Sequence, residues 1–207
     1  MPHLSDPENS RTGRGGRPRD PSRDEVIRAA ILEVLGRDGY AGLTMDAVAG
    51  AAGVGKATIY RRWRTKSDLV ADAVADLGTE EFGDPDTGSL EGDLRVLLHA
   101  LVGVMNGPLG AATLALLSAL PHEPELRAAF RSGPMDRMAE AFGRVWARAV
   151  DRDEVDASVP GSAVASSATS PILQRWLFGD NRVEDAFADE VLDDVVLPLL
   201  RTVPAAG

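Results

Sequence analysis

Apolar residues recur three and four positions apart along nearly the whole chain beyond residue 21, and this spacing predicts α-helices. No segment alternates apolar and polar residues convincingly enough to predict a β-strand. Glycine and proline interrupt the pattern at intervals, and each interruption predicts the end of a helix. The sequence therefore predicts an all-α fold. Beyond residue 88 the predicted helices lie near residues 89–106, 109–120, 124–131, 134–150, 161–178 and 184–201.

Local capping signals predict four helices in the N-terminal part of the chain. Ser22–Glu25 and Thr65–Asp68 have the pattern of capping boxes, so they predict the starts of the first and fourth helices. Gly39 is expected to end the first helix, because glycine readily adopts the backbone conformation of a helix C-terminus. Thr44 is the expected N-cap of the second helix. The third helix is predicted from Gly55 to Trp63.

The second and third helices are joined by a turn at Gly53, and this arrangement predicts a helix-turn-helix motif. Val54, Ile59 and Trp63 are expected to face the core, since Ile59 and Trp63 lie about one helical turn apart. The opposite side of the third helix is then basic, small or polar: Lys56, Ala57, Thr58, Tyr60, Arg61 and Arg62. Such a helix suits the major groove of DNA, where arginine contacts guanine or phosphate and threonine contacts thymine or a base edge.

Charge is divided unevenly along the chain. Residues 1–66 hold 12 lysines and arginines against 8 acidic residues, a net charge of +4. Residues 67–207 hold 10 against 24, a net charge of −14. A polyanion is therefore attracted to one end and repelled by the other. An incidental basic tail on a solvated acidic protein is the alternative, but the acidic body argues against a protein that compacts DNA without sequence preference.

Residues 1–21 are rich in proline, glycine, serine and arginine and show no periodicity, so they are predicted to form a disordered arm. Its arginines are Arg11, Arg14, Arg17 and Arg19. Two roles for this arm are open. Either the arm enters a minor groove next to the recognition helix, or it adds electrostatic attraction to DNA that does not depend on sequence.

The segment Glu25–Val74 resembles the DNA-binding domain of the TetR family of bacterial transcriptional repressors. The resemblance rests on the Gly39–Tyr40 break, the stretches LTMDAVAGAAGV and IYRRW, and Lys66. It implies that residues 22–66 form a DNA-binding domain and that residues 67–207 form a helical ligand-binding and dimerisation domain.

The resemblance also assigns DNA contacts to particular residues. They are Thr44, Gly55, Lys56, Ala57, Thr58, Tyr60, Arg61, Arg62 and Lys66. The sequence departs from the family at Gly55, where many members have serine, and this removes a side-chain cap. Trp63 replaces a common phenylalanine, which conserves a large apolar side chain for the core.

The last two predicted helices each carry an apolar stripe wide enough to bury one face. The resemblance implies that they form a four-helix bundle across a two-fold axis, so that the chain is a homodimer. The residues assigned to this interface are Ile172, Leu173, Trp176, Phe187, Val191, Leu192, Val195, Val196 and Leu199. Completion of the monomer core is the alternative role for the same helices. Pro171 is expected to kink or start its helix, because proline lacks an N–H group.

The resemblance implies an effector site in the body, and the candidate wall residues are His99, Met105, Asn106, Met138, Phe142, Trp146, Gln174 and Trp176. Aromatic residues and methionine at helical spacing are equally expected in an ordinary core. His99 and Asn106 lie two turns apart on a largely apolar helix, where a ligand could satisfy their polar groups. With three scattered histidines and no cysteine, we expect neither a metal site nor a cofactor.

These patterns together predict a homodimeric TetR-type repressor that leaves a near-palindromic operator when a small, largely apolar effector binds. A ligand-independent regulator, a ligand-activated regulator, and a DNA-binding head fused to a helical enzyme are the alternatives. No catalytic constellation, such as a nucleophile elbow or a phosphate loop, is visible in the sequence. There is no apolar run of the roughly 18–20 residues that span a membrane and no signal-peptide pattern, so we expect a cytoplasmic protein.

Overall fold

The computed structural model describes residues 21–75 and 82–202, and all regular secondary structure in these two ranges is helical. The predicted all-α fold is therefore confirmed. Pro21 is the only residue of the predicted arm that lies in these ranges, so Arg11, Arg14, Arg17 and Arg19 fall outside the described residues. The N-terminal helices are α1 (Pro21–Gly42), α2 (Met45–Ala51), α3 (Lys56–Arg62) and α4 (Lys66–Ala75). The body contains α5 (Leu90–Asn106), α6 (Pro108–Leu116), α7 (Pro124–Phe130), α8 (Asp136–Asp151), α9 (Ala163–Ser166), α10 (Ser170–Phe178), α11 (Asp185–Val191) and α12 (Leu197–Leu200).

The predicted caps of α2 and α4 are confirmed. Thr44 accepts a hydrogen bond from the backbone N–H of Ala47 at 3.1 Å. Thr65 and Asp68 cap each other's backbone N–H groups at 3.0 and 3.1 Å, which is the reciprocal bonding of a capping box. Gly39 interrupts α1 with φ of 67°, a left-handed conformation that favours glycine. α1 begins at Pro21, so Ser22 lies in its first turn and not at its N-cap.

The break predicted at Gly133–Pro134 is wrong. A π-helical turn, Arg131–Met135, joins α7 to α8 without interruption, and Pro134 lies inside it. A proline ring clashes with the preceding turn of an α-helix and has no N–H to donate. The wider π turn accommodates both defects, since the N–H of Asp136 donates to the carbonyl of Arg131 five residues earlier. A second π turn, Leu192–Val196, joins α11 to α12 just before Pro198.

The single helix predicted for residues 161–178 is also wrong, because the chain leaves the helix between α9 and α10. Pro171 lies in the first turn of α10, as expected for a residue without an N–H donor. Serine hydroxyls donate hydrogen bonds to backbone carbonyls around this break. Ser167 donates to the carbonyl of Val164 at 2.6 Å, and Ser170 donates to that of Ser166 at 2.9 Å.

Two apolar cores hold the molecule together. The first combines buried residues of α1 to α4 with Ala112, Leu116, Ala119 and Leu126 from the α6–α7 region of the body. The second is built mainly from α5, α8, α10 and α11, with Phe82 packed against them. α4 therefore belongs to a core that the N-terminal helices and the body share. Among the described residues no single helix is long and apolar enough to cross a membrane; only α5 and α6 together, bent by 63°, reach that length and composition.

The loop before α5 is held against α8 by a buried carboxylate. Asp93 is fully buried and accepts hydrogen bonds from the N–H and hydroxyl of Thr87, at 2.6 and 2.8 Å, and from Arg152 at 3.0 Å. Burial opposes ionisation of this carboxyl, but the bonds from Thr87 and Arg152 outweigh burial and hold the pKa of Asp93 below its usual value. Arg148 fixes the same loop by bonding to Asp84 at 2.8 Å.

Gly110 allows α6 to approach α5 closely, and its substitution is expected to force them apart. A Cβ atom at Gly110 would overlap the carbonyl oxygen of Met105, whereas a Cβ at Gly103, on the exposed side of α5, would meet nothing within 4 Å. Gly110→Ala is expected to lower the free energy of unfolding by about 1–3 kcal/mol. Gly103→Ala is expected to raise it by about 0.5–1 kcal/mol, because alanine is the better helix former. Urea denaturation of both variants checks this, and equal effects would contradict the close packing.

Candidate nucleic-acid interface and ligand cavity

α2 and α3 form the predicted helix-turn-helix, and its inward face is confirmed. Ile59 and Trp63 are buried, and Val54 is half-buried against the same core. Gly53 makes the turn with φ of 62°, and the N–H of Val54 then bonds to the carbonyl of Ala49 at 3.0 Å. The turn and the buried face together fix the direction in which α3 presents its outer side.

The outer side of α3 carries most of the predicted DNA-contacting residues. Lys56, Ala57, Tyr60 and Arg61 are exposed, as is the N-cap Gly55, and Thr58 is half-buried. Tyr60 is 54% exposed, which is unusual for so large a ring unless a partner covers it. These residues form one continuous surface at the N-terminal end and outer face of α3.

Asp46 is a residue of this surface that the sequence did not single out as functional. Its carboxylate accepts from Lys56 at 2.7 Å and from the hydroxyl of Tyr60 at 3.3 Å. The hydrogen bond from Lys56 holds the pKa of Asp46 below its usual value. Asp46 therefore holds both Lys56 and Tyr60 on the outer side of α3. The sequence signal at Asp46 was an acid in the first turn of α2, and an acid is expected there in any case because it interacts favourably with the helix dipole.

Lys66 and Thr44 lie beside the turns that flank this surface. The ammonium group of Lys66 donates to the carbonyl of Tyr40 at 2.8 Å and lies 4.3 Å from the centre of the Tyr40 ring. It therefore ties the start of α4 to the break in α1 while remaining half-exposed. The Thr44 oxygen accepts the capping bond from the backbone N–H of Ala47.

Arg62 does not project from the exposed face with the other basic residues, and that part of the prediction is wrong. It is half-buried, forms an ion pair with Asp24 of α1, and lies 3.5 Å from Asp72 of α4. Its guanidinium group also stacks over the Trp63 ring at 4.4 Å. Arg62 therefore joins α3 to α1 and α4, because the two acids that bind it come from distant segments of the chain.

An apolar cavity of about 60 Å³ lies in the body next to the π turn. Its walls come from the loop before α5 and from α5, α6, α7, α8 and α10: Phe82, Leu101, Val104, Met105, Leu109, Gly110, Thr113, Phe130, Pro134, Met135, Met138, Leu173 and Trp176. None of these described lining residues is charged. Three of the predicted wall residues, Met105, Met138 and Trp176, lie in this lining.

The other predicted wall residues are not among the described residues that line the cavity. His99 pairs with Asp189 at 2.9 Å on the surface of the body. Asn106 is exposed and is fully engaged by Val183, donating to its carbonyl at 2.7 Å and accepting from its N–H at 3.1 Å. Gln174 is exposed, whereas Phe142 and Trp146 are buried in the body core.

The residues assigned to a dimer interface divide by burial. Ile172, Trp176, Val191, Leu192 and Val196 are already buried within the single chain. Leu173, Phe187 and Val195 are half-buried, and Leu199 is exposed. The sequence reading missed two neighbours, since Phe178 is 81% exposed and Leu177 is 37% exposed on α10. An aromatic ring left so open on the surface is a feature of contact sites.

In the described part of the chain, no group of three or more histidine, cysteine, aspartate or glutamate side chains is placed to hold a metal ion.

A helix-turn-helix with an exposed basic helix, joined to a separate helical body, defines a DNA-binding regulator. Residues 27–73 match the family model described as bacterial regulatory proteins, tetR family, and residues 84–195 match the tetracyclin repressor-like C-terminal domain. The chain belongs to the TetR family and is a DNA-binding transcriptional regulator. That family consists of regulators and not of enzymes.

Individual proteins support the same assignment. The DNA-binding transcriptional repressor TetR of Mycobacteroides abscessus is 33% identical over 185 residues, which cover 88% of this chain and 96% of that protein. The crystal structure of the TetR family transcription regulator SCO0332 is similar with a TM-score of 0.65 and 27% identity, over 89% of this chain and 100% of that one. FadR from Bacillus subtilis in complex with stearoyl-CoA shares the fold, with a TM-score of 0.66 and 17% identity, over 84% and 97% of the two chains.

Arg61 and Arg62 are adjacent in sequence, but their substitutions are expected to affect different properties: DNA binding for Arg61 and stability for Arg62. Arg62→Ala removes the partner of Asp24 and is expected to lower the free energy of unfolding by about 1–3 kcal/mol. Arg61→Ala, at an exposed position, is expected to change stability by less than about 0.5 kcal/mol and to weaken DNA binding. Urea denaturation and fluorescence anisotropy on labelled DNA measure the two effects. A loss of stability in Arg61→Ala equal to that in Arg62→Ala would contradict the assignment.

Proposed function

We propose that this regulator is a repressor that binds a near-palindromic operator as a homodimer and is released by a small, largely apolar effector. The observation that carries the proposal is the position of the π turn Arg131–Met135. Pro134 and Met135 line the cavity, while Gly133 packs against Ala75, the last residue of α4. One short segment therefore contacts both the effector cavity and the helix that follows the helix-turn-helix.

The proposed DNA contacts are Thr44, Gly55, Lys56, Ala57, Thr58, Tyr60, Arg61 and Lys66. Exposure of the outer face of α3 supports the assignment of Thr58 and Arg61 to base edges, where threonine and arginine discriminate between base pairs. Lys56, Tyr60 and Lys66 are assigned to phosphates, which fix the orientation of the protein on DNA. Arg62 is left out because its ion pairs with α1 and α4 occupy it.

Packing at the end of α4 supports the proposed release mechanism. A Cβ atom on Gly133 would lie 3.0 Å from the backbone of Ala75, so the π turn and α4 are in tight contact. Arg137 adds a hydrogen bond to the carbonyl of Ala75 at 2.7 Å. An effector that displaces the π turn therefore displaces α4, and with it the core that positions α3. By linkage, the factor by which the effector lowers DNA affinity equals the factor by which DNA lowers effector affinity.

The size of the cavity supports displacement of the wall on binding. At about 60 Å³ it has room for only a few water molecules, whereas sites for drug-sized ligands measure about 300–1,000 Å³. Methionine side chains in the lining are flexible enough to move aside. The presence of this cavity favours a ligand-responsive regulator over a ligand-independent one. The described walls of the cavity hold no ionisable side chain, and this favours a sensor over an enzyme.

The exposed apolar surface on α10 and α12 supports the proposed homodimer. Phe178, Leu177 and Leu199 are exposed on the two helices that the family uses for dimerisation, and Leu173, Phe187 and Val195 are partly open beside them. In the proposed dimer the two recognition helices lie about 34–36 Å apart, the spacing that fits successive major grooves on one face of DNA. A regulator of this kind acts where the bacterial chromosome lies, in the cytoplasm.

Selection from a random library of double-stranded DNA tests the DNA-binding proposal. The enriched sequence is expected to be a near-palindrome with half-site centres about 10–10.5 base pairs apart or a multiple of this. In anisotropy titrations its affinity is expected to exceed that of scrambled DNA by about 10³-fold or more. Tyr60→Ala is expected to weaken binding to both DNAs, whereas Thr58→Ala is expected to change the preferred sequence. Failure to enrich any sequence would overturn the proposal.

A charge placed at Phe178 is expected to dissociate the dimer. Phe178→Glu removes a large apolar contact from each protomer and introduces two carboxylates, so the dimer dissociation constant is expected to rise at least about 100-fold. Leu117→Glu is the matched control, since Leu117 is 39% exposed at the end of α6, away from this surface. Sedimentation equilibrium measures both. A Phe178→Glu protein that stays as dimeric as the control would place the interface elsewhere.

A further inference from the structure

One residue that lines the effector cavity has a buried polar group that the protein itself does not satisfy. Trp176 lines the cavity and is only 4% exposed, and its indole Nε1 is buried without a hydrogen-bond partner among the described residues. An unpaired buried donor costs about 1–3 kcal/mol. Most buried polar groups therefore have partners, and an exception in a ligand cavity indicates a partner supplied by the ligand.

The other polar side chain in the described lining differs in this respect. The hydroxyl of Thr113 donates to the carbonyl of Leu109 at 2.8 Å, so its hydrogen is already used within α6. A buried tryptophan elsewhere in the chain is also satisfied, since Nε1 of Trp63 donates to Asp72 at 3.2 Å. Ser67 Oγ and Arg148 Nε are also buried without a hydrogen-bond partner among the described residues, but neither residue lines the cavity. Trp176 is thus the described lining residue with an unused donor.

We propose that the effector is a neutral, largely apolar molecule with an oxygen acceptor, such as a ketone or ether, that accepts a hydrogen bond from Nε1 of Trp176. This inference rests on the proposed function, because it names the chemical class of the effector for the same cavity. The indole orients the ligand within walls that otherwise offer apolar contact alone.

The chemistry of the walls sets the charge of this ligand. None of the described lining residues carries a charge that could compensate a buried carboxylate or ammonium group. The free-energy cost of burying an unpaired ion far exceeds the free energy gained from one hydrogen bond, so ionised groups are excluded from the cavity. Met105, Met135 and Met138 supply polarisable, adaptable contacts to the apolar part of the ligand.

Two small probes of nearly equal shape isolate the hydrogen bond. Cyclopentanone carries a carbonyl oxygen where methylenecyclopentane carries a CH₂ group. Both are titrated into the full-length protein labelled with ¹⁵N at tryptophan, which has three indole signals to follow, from Trp63, Trp146 and Trp176. Loss of one signal in Trp176→Phe and of another in Trp146→Phe assigns them.

The ketone is expected to bind with a saturable downfield shift of the Trp176 indole proton, and methylenecyclopentane is expected to bind without one. In Trp176→Phe the affinity for the ketone is expected to fall by about three- to tenfold, the worth of one neutral hydrogen bond, while the affinity for the alkene changes less than twofold. Trp146→Phe, a matched change at a buried position outside the described lining, is expected to leave both affinities unchanged.

An indole shift of equal size for both probes, or no shift of the Trp176 signal by the ketone, would overturn the proposal. Tighter binding of cyclopentanecarboxylate than of the ketone would overturn it as well, since that result requires a charged partner in the cavity. Where Trp176→Phe is unstable, Trp63→Phe and Trp146→Phe assign the Trp176 signal by elimination, so titrations on wild-type protein still give these outcomes. Operator selection is an independent experiment. If a palindrome is enriched but the ketone does not shift the Trp176 signal, the proposed effector class is refuted and the proposed repressor function stands. If the ketone shifts the signal but no DNA sequence is enriched, the proposed repressor function is refuted.

Discussion

The buried face of α4 is the constraint on which the rest of the structure depends. Leu69, Val70, Ala73 and Val74 lie in one core with the helix-turn-helix and with Leu116 and Leu126 of the body. Each fully buried leucine or valine contributes about 1.5–3 kcal/mol, so separating α4 from either neighbour is costly. The capping box at Thr65–Asp68 fixes where α4 begins, and the contacts of Gly133 and Arg137 hold its last residue. α4 therefore links the DNA-binding unit to the body, together with the packing of α1 against α6 in the same core.

The helix-turn-helix could be predicted from sequence because short-range interactions determine it. Thr44 caps a residue three positions away, the Thr65–Asp68 box closes within four residues, and Ile59 and Trp63 share a face through helical periodicity. Arg62 was placed incorrectly because its partners, Asp24 and Asp72, lie 38 and 10 positions away and only the fold brings them together. The break predicted at Pro134 failed for a related reason. Proline excludes a regular α-helix at that point, but a π turn satisfies the same constraint without ending the helix.

The cavity could be predicted only in part. Met105, Met138 and Trp176 were identified because large apolar residues on body helices have a high chance of meeting in the interior. His99 and Asn106 are two turns apart as predicted, but their face meets α11 and the loop before it, where Asp189 and Val183 satisfy them. Pro134, Met135 and Phe82 carried no signal for the cavity, since a π turn and a loop position them. Periodicity shows that a face is buried and does not show what lies opposite.

The small volume of the cavity separates two classes of ligand by size. Under the proposed mechanism, a molecule that fits the existing space leaves Pro134 and Met135 in place, so α4 keeps its position and the operator stays bound. A longer molecule with the same polar group must push the π turn outward, and the displacement of α4 then reduces the net free energy of its binding. Under the same proposal, the first class acts as antagonists of the second, because both compete for the indole donor of Trp176. Length then separates inducers from their antagonists among chemically similar compounds.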